Sequence, residues 1–111
     1  VEEAGKVVGE NPNKDYTFIV HNTPGGGGGL EHLNSTVLQT GRWGYESNYT
    51  GFLSLVAHEY FHLWNIKRIR PKALGPFDYD NENYTNLLWV AEGITSYYDD
   101  LITHRAGFMT A

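Results

Sequence analysis

The most regular hydrophobic pattern of the chain lies between positions 51 and 66. Apolar side chains recur there at intervals of three and four residues: Leu53, Val56, Tyr60 and Leu63. This spacing places them on one face of a helix. Ser47 and Thr50 are both candidate N-caps, and Pro71 limits the far end. We therefore predict a helix from about Gly51 to Ile66.

A second helical pattern runs from about Thr85 to Thr103. One side of it is formed by residues at helical spacing: Leu88, Ala91, Thr95, Tyr98 and Ile102. Gly93 lies inside this stretch and lowers helix stability by roughly 1 kcal/mol relative to alanine. Because a glycine beside Glu92 leaves room for a neighbour, we expect another element to approach closely there.

The N-terminal half carries the pattern of short strands. Residues 16–20 and 36–39 are rich in β-branched and aromatic side chains and are bounded by turn-forming residues. Five consecutive glycines separate them at positions 25–29, and residues 1–14 are polar with an Asn-Pro turn signal. Residues 42–48 are predicted to form a loop. Together with the two helices, these strands predict an α+β fold in which the helices cover a small, mostly antiparallel sheet.

Composition limits the possible functions. At 111 residues the chain has room for a single domain. Its net charge of −5 argues against nucleic-acid binding, and the basic cluster at 67–72 fits a solvated helix end. No apolar stretch reaches the length of a membrane span, so we expect no membrane contact by this chain. Because it begins at Val1 within ordinary-looking sequence, we expect a piece of a longer protein, and no compartment is predicted.

Candidate chemistry is concentrated in an HExxH motif, which His58, Glu59 and His62 form within the first predicted helix. Four residues of helix advance about 6 Å and slightly more than one turn, so both imidazoles project from one face. They can then bind one tetrahedral metal ion, and the adjacent Glu is typical of a general base. Since the chain has no cysteine, any further ligand must be a His or a carboxylate. The alternative is a surface helix with two solvated histidines.

Glu92 is the candidate for a third metal ligand. A catalytic zinc site needs three protein ligands and one open position. Glu92 lies within the second predicted helix, and apolar residues surround it in the sequence: Trp89, Val90 and Ile94. An unpaired carboxylate in an apolar setting is costly, and a metal ion would pair with it. The alternative is an exposed Glu on the polar side of the helix, which this apolar setting disfavours.

Longer stretches around these residues resemble a known family. The segments GGGGGLEH, HEYFHLWNIKRIRP and LWVAEGITSYYDDL are similar to those of the glycyl aminopeptidase family of gluzincin zinc metallopeptidases. The similarity runs from about His21 to Gly107. It implies a thermolysin-like catalytic subdomain with two active-site helices, of which residues 1–111 are the N-terminal part. It also implies one Zn²⁺ ion as cofactor.

The resemblance assigns roles to individual residues. It implies that His58, His62 and Glu92 bind zinc and that Glu59 is the catalytic base. Related aminopeptidases place a substrate-recognition strand where this chain has its glycine run, and a Glu of that strand holds the free amine of the substrate. Glu31 occupies this position. Gly28 and Gly29 are also predicted to bind substrate, because their missing side chains let a peptide approach closely. The alternative is a flexible linker with an incidental Glu.

Other polar residues have weaker claims. Asn65 shares the face of the two histidines and is predicted to orient a ligand, although a hydrogen bond at the helix end is equally compatible. Asp99, about two turns beyond Glu92, is predicted to accept a hydrogen bond from a ligating His, with surface exposure as the default alternative. Tyr97 and Tyr98 are candidate oxyanion donors or packing residues. Three histidines lack a partner at ligand spacing and are predicted not to bind metal: His21, His32 and His104.

The resulting hypothesis is zinc-dependent hydrolysis of peptide bonds. The resemblance favours an aminopeptidase that acts on small N-terminal residues such as Gly or Ala, with peptides or proteins as substrates and other domains of a parent protein as partners. Because the oxyanion donor of related enzymes comes from a later domain, we expect the isolated chain to be inactive. The alternatives are a zinc endopeptidase and a non-catalytic module that binds zinc or peptide.

Overall fold

The computed structural model describes residues 1–110, which form helices on one side and a small sheet on the other. The elements in chain order are α1 (Glu2–Val8), β1 (Thr17–Thr23), β2 (Gly28–Glu31), β3 (Ser35–Gly41), α2 (Gly44–Ser47), α3 (Tyr49–Phe61) and α4 (Leu88–Arg105). A single 3₁₀ turn, Lys72–Leu74, lies in the long connection between α3 and α4. The α+β class predicted from the sequence is therefore confirmed.

The sheet is mixed, in the order β1-β3-β2, so the prediction of a mostly antiparallel sheet is wrong. β1 pairs with β3 in parallel from Thr17 opposite Ser35 onward, while β2 pairs with β3 in the antiparallel sense. The glycine run contributes the strand that the pattern missed. Because β2 intervenes in the chain and reverses its direction, β1 and β3 run the same way. β2 lies at an edge of this three-stranded sheet.

Helix α3 begins and ends differently from its prediction. Its N-cap is Asn48, whose side chain accepts a hydrogen bond from the Gly51 amide at 3.2 Å, rather than Ser47 or Thr50. The hydroxyl of Ser47 instead donates to a carbonyl of the preceding turn. The helix ends at Phe61, and the following residues form turns that lead to Ile66 at a φ of 150°. The apolar pattern extends past the helix because these turns are also buried.

Helices α1, α2 and α4 also differ from what the sequence predicted. α1 occupies part of the polar N-terminal segment 1–14, for which no helix was predicted, and its Ala4 is buried. α2 lies within the predicted loop 42–48. At Gly93 of α4, no described atom outside its own helix lies within 4 Å of the position of a Cβ, so the expected close approach is absent. Among the described residues, no helix has both the length and the apolarity to cross a membrane.

The main core fixes α3 against α1, α4 and the sheet. Its buried members are Ala4, Tyr60, Phe61, Leu63, Trp64 and Ile102. Tyr60 also contacts the rings of Tyr16 and Phe18, which connect it to β1. Complete burial of one such large apolar side chain stabilises the fold by about 1.5–3 kcal/mol. The residues that flank Glu59 and His62 in the sequence are thus held by the core. The backbone of the HExxH motif is therefore held in a fixed position.

The cap of α3 provides a test of the fold. We expect Asn48→Ala to lower the free energy of unfolding by about 1 kcal/mol, because the Gly51 amide loses its acceptor. The matched control is Thr50→Ala, which removes the exposed alternative cap and should change the free energy by less than about 0.5 kcal/mol. Urea denaturation followed by circular dichroism measures both values. A larger loss for Thr50→Ala would contradict the observed cap.

Candidate metal centre

Two helices bring three metal-binding side chains to one point. His58 and His62 lie one turn apart on α3, and Glu92 faces them from α4. The Glu92 Oε2 atom is 3.2 Å from His58 Nε2 and 3.7 Å from His62 Nε2. In tetrahedral zinc coordination, bonds of about 2.0–2.1 Å place two ligand atoms about 3.3 Å apart. The three side chains therefore fit around one such ion with little adjustment.

The second ring nitrogen of each histidine is already bound, which fixes the direction of the first. His62 Nδ1 donates to the Asn65 carbonyl at 2.9 Å, and His58 Nδ1 lies 2.7 Å from Asp99 Oδ2. A carbonyl and a carboxylate accept hydrogen bonds, so both protons reside on Nδ1 and both Nε2 lone pairs face the centre. This is the arrangement that metal-binding histidines usually have. The donor set is suited to zinc.

Asp99 is buried beneath His58. Its carboxylate also accepts a hydrogen bond from the Ser54 hydroxyl at 3.3 Å, and its backbone carbonyl accepts one from Thr103. The hydrogen bond that His58 donates to the Asp99 carboxylate is the largest cause that raises the pKa of His58, with partial burial acting in the opposite direction. Surface exposure, the default alternative for Asp99, is therefore excluded.

Asn65 connects the two ligand-bearing helices. Its backbone carbonyl holds His62, while its side-chain amide donates to the Ala91 carbonyl at 3.0 Å and to the Thr95 hydroxyl at 3.1 Å. Ala91 immediately precedes Glu92 in α4. One residue thus sets both the orientation of an imidazole and the distance from α3 to the helix that carries the carboxylate.

Glu92 is more exposed than its sequence context predicts. Half of its side chain is accessible to solvent, and its apolar neighbours Trp89 and Ile94 are exposed as well. The local apolarity therefore does not indicate burial, and that reason for expecting a buried Glu92 is wrong. What places Glu92 at the centre is its position on the α4 surface that faces the two histidines.

The Glu59 side chain lies against β2, with a carboxylate oxygen within 4.8 Å of a ring nitrogen of His62. Its residue surface is only 5% exposed, and its Oε2 atom has no hydrogen-bond partner among the described residues. Burial is the largest cause that raises the pKa of Glu59, to about 7. The carboxyl group packs against Gly29 of β2, while the neighbouring Gly28 has a φ of 130° that favours glycine.

Glu31, at the end of β2, also faces this region. One of its carboxylate oxygens lies within 4.8 Å of ligand atoms of Glu59 and His62. Glu31 Oε1 is 3.5 Å from the ammonium of Lys67, which stands over the Phe77 ring at 4.8 Å from its centroid. Because His62 has one ring nitrogen left after its bond to Asn65, the group Glu31, Glu59 and His62 is one wall of the same centre and not an independent metal site.

Lys67 is the charged residue that the sequence analysis missed. Only 14% of its side chain is exposed, so the prediction of a solvated helix end is wrong at this position. The chain leaves helical geometry after Phe61, and the Lys67 amide then donates to the His62 carbonyl at 3.1 Å. This turn directs Lys67 inward. The inward direction of Lys67 could have been predicted only if the end of α3 at Phe61 had been known.

The other candidates lie outside the centre. Tyr98 stacks on Phe61 with 4.7 Å between ring centroids, in agreement with a packing role, and Tyr97 is exposed. Among the described residues, the groups of His and acidic side chains close enough to share an ion contain none of the three histidines predicted to be non-ligands: His21, His32 and His104.

Comparisons with known proteins identify the family of this chain. The sequence profile described as M61 glycyl aminopeptidase matches residues 51–111. A crystal structure of an aminopeptidase N family protein from Idiomarina loihiensis is similar, with a TM-score of 0.89 and 43% sequence identity over 97% of this chain. This chain spans 20% of the length of that protein. A search of curated proteins found no significant match.

The sequence profile and the similar structure both lead to one family. The profile match covers more than half of the described sequence and includes both the HExxH motif and Glu92. The chain belongs to the M61 glycyl aminopeptidase family, as its resemblance to that family predicted.

The connection through Asn65 leads to a prediction about metal affinity. We expect Asn65→Ala to weaken Zn²⁺ binding by about 10–100-fold, because the spacing of α3 and α4 is no longer fixed by the side-chain amide. Asn86→Ala, at an exposed position before α4, is the control and should leave the affinity unchanged. Competition titration with a chromogenic chelator measures both. Equal affinities of Asn65→Ala and wild type would contradict this role.

Proposed function

We propose that the centre binds one zinc ion and that the protein is a zinc metallopeptidase of the thermolysin-like, gluzincin type. The observation that carries this proposal is the position of Glu92 Oε2, at 3.2 and 3.7 Å from the two imidazole nitrogens. Membership of a peptidase family supports the hydrolytic reaction. The hydrogen bonds on the far side of both rings support a preorganised metal site.

The chemistry is metal-assisted hydrolysis of a peptide bond. A zinc ion held by His58, His62 and Glu92 supplies Lewis acidity that polarises a carbonyl group and acidifies water. Glu59 takes a proton from the attacking water and later delivers it to the leaving amine. Its buried Oε2 atom, which has no hydrogen-bond partner among the described residues, supports this role, because buried polar groups left unpaired are rare outside functional sites.

We further propose that substrates bind through their free N-terminus. Glu31 is the acidic group on the sheet side of the centre, and a carboxylate there pairs with an ammonium group. The edge position of β2 allows a peptide to add as a further strand. A preference for N-terminal Gly follows from the description of the family, and its extension to Ala from the sequence resemblance, rather than from a pocket of this chain. Other parts of the intact protein complete the substrate site.

An endopeptidase is the second candidate function. Glu31 already has a counter-ion in Lys67, at 3.5 Å, so it does not require a substrate amine for charge compensation. An aminopeptidase substrate must join or replace this lysine. A non-catalytic module that binds zinc or peptide is the remaining alternative, and the intact set of Glu59 and the three ligands argues against it. The acidic composition, with a net charge of −5, does not favour a nucleic-acid partner.

Separate substitutions of the metal ligands and of Glu59 distinguish metal binding from catalysis. We expect Glu92→Gln and His62→Ala to weaken zinc binding by more than the 10–100-fold that is typical of outer hydrogen-bond partners. Glu59→Gln should keep zinc affinity, yet lower kcat by about 10²–10⁴-fold because the proton acceptor is lost. Calorimetric titration gives the affinities, and hydrolysis of alanine p-nitroanilide by the intact protein gives kcat.

The control for these variants is His104→Ala, which changes a histidine that bonds to the Met109 carbonyl away from the centre. It should match wild type in both measurements. Zinc binding that is absent in wild type, or indifferent to Glu92→Gln and His62→Ala, would refute the zinc site. Full activity of Glu59→Gln would refute the assigned base.

Substitution of Glu31 tests whether the protein recognises the free N-terminal amine of its substrate. We expect Glu31→Gln to raise KM for alanine p-nitroanilide by about 10–100-fold, because a charged hydrogen bond contributes about 1.5–3 kcal/mol. Lys67→Met retains an unbranched side chain beside Phe77 and removes the competing cation, so it should lower KM. Glu10→Gln, at an exposed position, is the matched control. Equal cleavage of N-acetylated and free-amine peptides by wild type would instead support the endopeptidase.

A further inference from the structure

The side chain of Glu59 occupies the space where residue 29 would carry its own. A Cβ built on Gly29 would lie 2.5 Å from Glu59 Oε1 and would overlap the Cγ and Cδ atoms of the same side chain. Ordinary contacts between such atoms are about 3.5–4 Å. Any residue other than glycine at position 29 therefore requires either the backbone or Glu59 to move.

The backbone on both sides of this contact is fixed. Gly29 is opposite Leu38 of β3, which is fully buried, and β2 is hydrogen-bonded to β3 along its length. On the other side, Tyr60 and Phe61 follow Glu59 directly and belong to the main core. The part that can move is the Glu59 side chain, by rotation away from β2.

The other glycines of the run have different reasons for their identity. Gly26 and Gly28 have φ values of 97° and 130°, which other residues rarely adopt. A Cβ on Gly27 would be 3.8 Å from the Gln39 carbonyl oxygen, an ordinary contact, and a Cβ on Gly25 would meet no atom within 4 Å. Within the run, overlap with Glu59 is specific to Gly29.

We propose that Gly29 is a positioning residue for the catalytic base, and that its missing side chain keeps the Glu59 carboxylate between β2 and the metal centre. This inference rests on the proposed role of Glu59 in catalysis. It is compatible with substrate binding along β2, because a strand uses its faces for side chains and its edge for main-chain hydrogen bonds. The face of β2 at Gly29 contacts the carboxylate of Glu59, and the edge of β2 stays available to a peptide.

Kinetics of the intact protein test the functional part. We expect Gly29→Ala to lower kcat by about 100-fold, the effect of roughly 1 Å of misplacement of a catalytic group. Zinc affinity should stay at the wild-type value, because none of the three ligands touches Gly29. Gly27→Ala is the matched control and should keep kcat within about twofold. A kcat of Gly29→Ala close to wild type would overturn the proposal.

A double-mutant cycle tests whether the effect passes through Glu59. Glu59→Asp is one methylene shorter and withdraws the overlapping atoms from β2. On this background, Gly29→Ala should lower kcat far less than about 100-fold, since effects of contacting residues are not additive. Equal losses on both backgrounds would show a general disturbance of the strand and would overturn the proposal.

A measurement of thermal stability tests the contact between Gly29 and Glu59 independently of catalytic activity. If Gly29→Ala lowers Tm or prevents folding, Glu59→Ala in the same protein should restore it, because the overlapping side chain is gone. A Tm that stays low in the double variant would overturn the contact. This readout is independent of the assigned base: full activity of Glu59→Gln would refute the catalytic role of Glu59, while the Tm cycle would still report on its packing against Gly29.

Discussion

The distance between α3 and α4 is the constraint on which the centre depends, because it determines whether Glu92 and the two imidazoles can share an ion. A carboxylate on a half-exposed helix surface can adopt many rotamers, so burial does not hold it in place. The helix axis must be held instead. The core around Phe61 and Ile102 supplies the packing, and the amide of Asn65 adds hydrogen bonds to α4 on both sides of Glu92, at Ala91 and Thr95.

Charge balance is the second constraint. Four carboxyl groups surround the centre, namely Glu31, Glu59, Glu92 and Asp99, and the ammonium of Lys67 lies beside Glu31. Coulomb repulsion among like charges at such separations is appreciable where water is scarce. The zinc ion proposed to bind between the imidazoles and Glu92 would relieve it. Lys67 does the same for Glu31, and burial raises the pKa of Glu59 to about 7, so this group takes up a proton more readily than an ordinary carboxylate.

The sequence predicted those features that depend on local periodicity. The face shared by His58 and His62 follows from helical spacing, and Glu92 lies on a second helix that the apolar pattern located. The order of the strands did not follow, because the glycines of β2 carry no alternation of polar and apolar side chains. Lys67 was misassigned for a related reason: its inward direction depends on the turn after Phe61, where the apolar pattern continues although the helix does not.

The register of β2 connects the two proposed functions of the sheet. Gly29 and Glu31 are two residues apart, so they lie on the same face of the strand, and Leu30 between them is exposed on the other. The face that accommodates Glu59 is therefore the face that carries Glu31 toward the centre. A shift of one residue would exchange both positions at once and place Leu30 against Glu59. The pairing of β2 with β3 thus determines together the positions of the proposed base and of the proposed amine-binding carboxylate, although the strand is short and rich in glycine.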